Sequence, residues 1–287
     1  MRSRFLACVV FCLFVLQCPD VLAQQEYTNS VGMRFVKVPE GEFTVGAFQP
    51  PYPTPDDTVK FASHPYSMWM GDGRGYSTEE FRLAKEMALR DVRPGFRVKI
   101  DRSFYIGKFE VTQAQWMKVM GNNSSTFQGA GTVSDSLPVE NITWEMACEF
   151  IARLNKLEKT KRYRLPTEFE WEYAARAGME NDISWRGIRE SAQLGKRNSM
   201  PVARMKPNAW GIHDMLGNVW EWVDDYYNEK IFADPVPPKK GKHRVLKGAS
   251  FAGDVKNATY MTHAAGPGNG WDVGFRVLME EKKVKKR

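Results

Sequence analysis

Apolar and polar positions alternate over residues 31–46 around a Pro39-Glu40-Gly41 turn, which predicts two short strands. The pattern dissolves in a Pro- and Gly-rich stretch, 47–76, that reads as a surface insertion. Ser77 and Glu80 then stand at capping-box spacing before a helix over 78–90, with Pro94 beyond its end, so the insertion as a whole covers 47–95. Residues 97–106 alternate again and predict one strand. Three helices follow with clear punctuation. Thr112 and Gln115 form a capping box ahead of Trp116, Val119 and Met120, and Gly121 ends that helix. The second spans 144–158 with Trp144, Cys148, Ile151 and Leu154 on one face. Thr167 and Glu170 cap the third, which stops at Gly178. After residue 180 the chain is mostly loop, with short strands near 245–247 and 274–279. The sum is an α+β domain with low regular secondary structure and no linker that would divide it.

The N-terminus changes the picture first. Arg2 and Arg4 precede an apolar run over 5–16, and Val21-Leu22-Ala23 has the form of a signal-peptidase site, so residues 1–23 are expected to be a signal peptide. The mature chain, 24–287, is then secreted or periplasmic, with no transmembrane segment. Cleavage removes Cys8, Cys12 and Cys18, leaving Cys148, which excludes an intramolecular disulfide and a cysteine zinc site. On its helix face Cys148 reads as a small core residue. The formal charge of +7 does not point to nucleic acid, because five positive charges sit in the basic tail 282–287 and the domain 24–281 is nearly neutral. Nine Trp and 13% aromatic residues supply large rings for a core that few regular layers would otherwise build.

Six runs carry a specific resemblance: FYIGKFEVTQAQW at 104–116, LPVENITW at 137–144, YRLPTEFEWEYAARAG at 163–178, PNAWGIHDMLGNVWEW at 207–222, KGASF at 247–251 and GFRV at 274–277. In this order they resemble the formylglycine-generating enzyme, or sulfatase-modifying factor, family. The resemblance implies that family's compact irregular fold, similar to the C-type lectin fold, and a secreted bacterial member of it.

The run over 211–222 suits a hard cation: Asp214 and Glu221 offer carboxylate oxygens, and Gly217 and Asn218 allow the backbone to turn carbonyls inward. The resemblance implies calcium held by Asp214, Glu221 and the carbonyls of Gly217 and Val219. The alternative roles are turn capping for Asp214 and an arginine partner for Glu221. The family's other calcium site has no match, since 198–205 is short and lacks carboxylates.

Family enzymes also carry two cysteines, spaced G-G-S-x-x-C-x-x-x-x-C, that hold copper and oxidise a substrate cysteine. Here Gly253 and Ala258 occupy those positions, so neither a nucleophile nor a copper ligand is present and copper is not expected. Trp220 and Ser250 match residues lining the family's pocket, and Asp254, Tyr260, His263 and Trp271 lie in the following Gly-rich segment. Each has an ordinary alternative, as a core or loop residue. Three functions follow: a calcium-stabilised binding or accessory module for a peptide, a sulfatase-like protein or a glycan; an oxidoreductase using Ser250, Asp254, Tyr260 or His263; and sulfatase maturation despite the missing cysteines.

Overall fold

The computed structural model describes residues 25–45, 96–129, 135–179, 183, 185–231, 235–253, 258–266 and 268–282. The expected signal peptide, the insertion over 47–95, Asp254 and all but Lys282 of the basic tail lie outside them.

An antiparallel sheet collects strands from both ends of the chain. Its order is β1 (Glu26–Thr28), β2 (Arg34–Val38), β5 (Phe104–Gly107), β11 (Leu278–Glu280) and β6 (Tyr163–Arg164). All four residues of β5 are buried, as a central strand covered on both faces requires. Residues 97–106 are not one strand. β4 (Phe96–Ile100) pairs with β3 (Gly41–Val45), and β5 enters the larger sheet. Asp101 and Arg102 are exposed at the break, and alternation cannot register a change of sheet when both halves keep a period of two. Val45 lies opposite Phe96 at the end of this pair.

The helices follow their caps. α1 (Gln113–Met120) begins at the Thr112–Gln115 capping box and ends at left-handed Gly121. α2 (Trp144–Leu157) buries Ala147, Phe150, Ile151 and Leu154. Trp144 and Cys148 flank that stripe half-buried, and burial pushes the Cys148 thiol up to about 11, which leaves it protonated and unreactive at neutral pH. α3 (Glu168–Arg176) carries the Thr167–Glu170 box and ends at left-handed Ala177 before Gly178.

The region after 180 holds more order than its loop-like composition predicts. It contains α4 (Trp185–Ser191) and a second sheet of β10 (Val273–Phe275), β7 (Trp220–Tyr226), β8 (Arg244–Lys247) and β9 (His263–Ala265). β10 and β7 are parallel and the other pairs antiparallel. Between the layers Trp116 stacks on Phe150 with centroids 5.4 Å apart, and Phe275 meets both rings edge-on. No helix among the described residues is long and apolar enough to cross a membrane.

Candidate functional site

Three groups of polar side chains converge where β7, β8 and β10 meet the loops before and after them.

The first surrounds the turn before β7. Asp214, Gly217 and Asn218 all have positive φ, so the backbone doubles back sharply within five residues. Asp214 Oδ2 accepts from Ala203 N at 2.6 Å. Its Oδ1 is buried, with Gln193 beside it but no hydrogen bond of ordinary geometry. Glu221 is fully buried on β7. It accepts from Trp171 Nε1 at 2.6 Å and from Arg276 through Nε at 2.7 Å and Nη2 at 2.6 Å. Arg276 also donates to the carbonyls of Gly107, His213 and Asp214. Glu110, equally buried, accepts from Asn218 Nδ2 and Val219 N at 2.8 and 3.2 Å. Thus both alternative roles named for Asp214 and Glu221 are present.

The charge balance is nevertheless uneven. Glu110, Asp214 and Glu221 face a single guanidinium. Burial, reinforced by Asp214 and Glu221, raises Glu110 well above the usual carboxylate range, and burial raises Asp214 to about 6. Two extra protons or a divalent cation would balance the cluster. The orphaned Oδ1 of Asp214 fits a hard cation. Glu221 could contribute only through lone pairs left by Arg276 and Trp171.

The second group ties α3 to the sheet. Lys247 Nζ is fully buried, 3.4 Å from Glu172 and 3.8 Å from Glu168, and Glu172 pairs with Arg176 at 2.8 Å. His263 Nδ1 lies 2.9 Å from Glu168, and its ring packs on Tyr227. Burial acts to raise the Glu168 carboxyl, but His263 and Lys247 outweigh it and hold the group below its ordinary value. Asp225 accepts from Glu168 N at 2.5 Å, and burial raises its carboxyl to about 6. A carboxyl raised on folding contributes fully below its unfolded value, near 4, and loses that contribution as pH climbs through 6. Asp225→Asn should therefore stand up to about 3 kcal/mol better against wild type at pH 8 than at pH 4. Urea unfolding of both proteins at the two pH values checks this, and an unchanged difference would contradict it.

The third group lies at the end of β8. Gly248 and Ala249 have positive φ, and Ser250 Oγ donates to Asp272 Oδ2 at 2.6 Å. Trp220 N donates to the Asp272 carbonyl. Beside this pair Phe251, Phe127 and Trp271 form an aromatic trio with centroids 5.2–5.9 Å apart, and Trp271 is 47% exposed. Phe251 N donates to the Asn218 carbonyl, which joins this group to the first.

Trp220, Ser250 and Trp271 thus share one neighbourhood. Tyr260 is buried in the wall of a separate cavity of about 240 Å³, alongside Asp214, Met215 and Leu216, and His263 faces Glu168. Gly253 sits in a tight turn, where an added Cβ would come 3.0 Å from the Ser250 carbonyl oxygen, and Ala258 is core. Asp272, Glu110, Arg276, Phe127 and Lys247 are partners that sequence reasoning did not single out. The only signal available was the position of Glu110, Lys247 and Arg276 inside three of the six family-like runs.

Comparison with known proteins agrees with this fold. The profile of the Sulfatase-modifying factor enzyme 1-like domain matches residues 22–281. The chain is 29% identical over 233 residues to the Chaperone protein LppX of Paenibacillus barcinonensis, covering 61% of this chain and 79% of that protein. It is 28% identical over 273 residues to the Inactive C-alpha-formylglycine-generating enzyme 2 of Mus musculus, 84% of this chain and 80% of that one. The match to the Formylglycine-generating enzyme of Mus musculus, at 30% identity, spans 49% of this chain and only 41% of that enzyme. The structure of PvdO from Pseudomonas aeruginosa superposes with a TM-score of 0.62 over 90% of this chain and 99% of its own, at 22% identity, and supports the irregular α+β fold.

Proposed function

This chain belongs to the sulfatase-modifying factor family, and we propose that it is a binding or accessory module of that family without cysteine-dependent formylglycine formation. The observation that carries this reading is the chemistry of the turn after Ser250. Gly253 and Ala258 stand where family enzymes carry their cysteines, one in a turn where a Cβ would meet the Ser250 carbonyl oxygen at 3.0 Å and the other in the core. Without a thiolate pair there is no soft site for Cu(I) and no nucleophile for a substrate cysteine. Cys148, protonated and half-buried on α2, supplies neither. What persists is the neighbourhood of Trp220, Ser250 and the half-exposed Trp271, joined through Asp272, where a peptide or another ligand would be held. The inactive relative is a precedent by its name alone.

Calcium is part of the same proposal. Asp214 Oδ1, the carbonyls of Gly217 and Val219 and a remaining lone pair of Glu221 would hold it. A bound divalent ion would neutralise the carboxylate cluster and cross-link the turn to β7. The apolar run over 5–16 supports export, which would place the domain where calcium is plentiful.

Metal analysis of purified residues 24–287 tests both parts. About one calcium per chain, lost in Asp214→Ala, is the expected result, together with no conversion of cysteine to aldehyde in a sulfatase-motif peptide incubated with copper. Stoichiometric copper or iron, or an aldehyde product, would overturn the reading and place the chain among the oxidoreductases.

A further inference from the structure

Asn269-Gly270 is the only Asn-Gly pair in the sequence, and it lies between β9 and β10, just ahead of Trp271 and Asp272. Asn269 is exposed. Its Nδ2 donates to Asn141 Oδ1 at 2.6 Å, and the Gly270 carbonyl accepts from Asn141 N and Val273 N. The N–H of Gly270 has no acceptor among the described residues. Packing favours glycine there, because an added Cβ would come 3.0 Å from Val273 Cγ2 and 3.2 Å from Asp272 Oδ1. The same packing leaves the nitrogen that follows Asn269 without a side chain to shield it.

An asparagine followed by glycine can react with its own backbone, since both groups are already held within one short ring of each other. The deprotonated Gly270 nitrogen attacks Asn269 Cγ and forms a C–N bond. The bond from Cγ to Nδ2 breaks, and the proton lost from Gly270 ends on the departing ammonia. Water then opens the five-membered imide at either carbonyl, giving aspartate or isoaspartate, with no change of oxidation state.

This fold acts on both ends of that reaction. Asn141 holds the reacting amide and is itself fixed by Nδ2 donating to the Ser124 carbonyl at 3.1 Å, so it restrains the attack. After conversion a carboxylate faces Asn141 Oδ1, acceptor against acceptor. Asp272 and Glu140 already stand near each other as like charges, and a third acid adds to their repulsion.

We propose that Asn269 is a spontaneous deamidation site restrained by Asn141, and that its conversion loosens the segment 268–272 from the turn at Asn141.

The test incubates the full mature chain, folded and in urea, at pH 6 and pH 9, and follows the peptide containing Asn269 by mass spectrometry. A gain of about 1 Da at Asn269 is expected, faster at pH 9 and slower in the folded chain than in urea. Asn141→Gly accepts the left-handed φ of 62° and removes the side-chain hold. Its folded form should convert about fivefold faster, the weight of one hydrogen bond. Asn269→Gln, which would need a six-membered ring, should convert about tenfold more slowly than wild type. In Asn269→Asp the amides of Asn141 and Val273, both bonded to the Gly270 carbonyl, should exchange their hydrogens about fivefold faster by NMR. Asn269 left intact in the folded chain at pH 9 while the unfolded chain converts would overturn the proposal, as would conversion in neither state. Equal rates in folded wild type and Asn141→Gly, with circular dichroism showing both folded, or unchanged exchange in Asn269→Asp, overturn it as well.

Discussion

Arg276→Met should be among the most destabilising single substitutions in the protein, at about 3–5 kcal/mol, because it leaves Glu221 buried and unpaired. The guanidinium is wholly enclosed, donates twice to Glu221, and closes the carbonyls of Gly107, His213 and Asp214. Its removal strips from a cluster that also holds Glu110 and Asp214 the only cation among the described residues there. The loss should be partly recovered at low pH. Burial already raises Glu110 and Asp214, and the variant removes the cation that opposes this, so their contribution is retained below about 4 and falls as pH rises. Calcium should also rescue the variant if it occupies the same cluster. Replacing the pair together, Arg276→Met with Glu221→Leu, should cost less than Arg276→Met alone. Urea titrations at pH 5 and pH 8 measure every term. A loss below 1 kcal/mol at pH 8 would mean that water reaches the cluster and supplies what the guanidinium does here.

Much of the architecture was legible where local chemistry decides it. The Thr112–Gln115 and Thr167–Glu170 boxes start α1 and α3 as their spacing predicts, since a cap is settled by neighbours three residues away. β7 was not legible. Its run Trp-Glu-Trp-Val presents a carboxylate between aromatics, which reads as ligand chemistry in a loop, whereas Glu221 is tolerated inside a strand because Arg276 comes from a segment 55 residues away. The same limit hides Asp272, Glu140 and Lys247. Each looks like an ordinary surface charge until the fold sets Ser250, Phe127 or Glu172 against it. His263 shows the converse, a residue in a plausible rim segment that β9 pairs opposite Lys247 and turns toward Glu168.

The two buried charge networks are not independent, and Trp171 is the link between them. Its indole N–H donates to Glu221, while Lys247 lies over its ring at 5.5 Å. A helix residue thereby couples the turn before β7 to the strand that delivers Ser250. Through Trp171 and the bond from Phe251 N to the Asn218 carbonyl, a disturbance of the turn should reach Ser250 and the aromatic trio beside it.

Gly217→Ala tests that consequence. The residue has φ +79°, and a Cβ there would lie 2.2 Å from the Gln193 carbonyl oxygen and 2.6–2.7 Å from that residue's carbonyl carbon and nitrogen. The strained dihedral alone costs about 1–2 kcal/mol. Overpacking against backbone, which cannot rotate away, adds about 1–3 kcal/mol. Gly121→Ala, at φ +83° with nothing within 4 Å, isolates the dihedral cost. The excess of Gly217→Ala over Gly121→Ala therefore measures the clash alone. Asn218, the next residue, holds Phe251 N and Glu110, so relief of the clash must shift the aromatic trio. The near-ultraviolet circular dichroism of the aromatic trio should change in the variant while its far-ultraviolet signal remains that of a folded protein. If Gly217→Ala unfolds no earlier than Gly121→Ala and keeps the wild-type aromatic signal, the turn yields freely beside Gln193 and is not coupled to the aromatic trio.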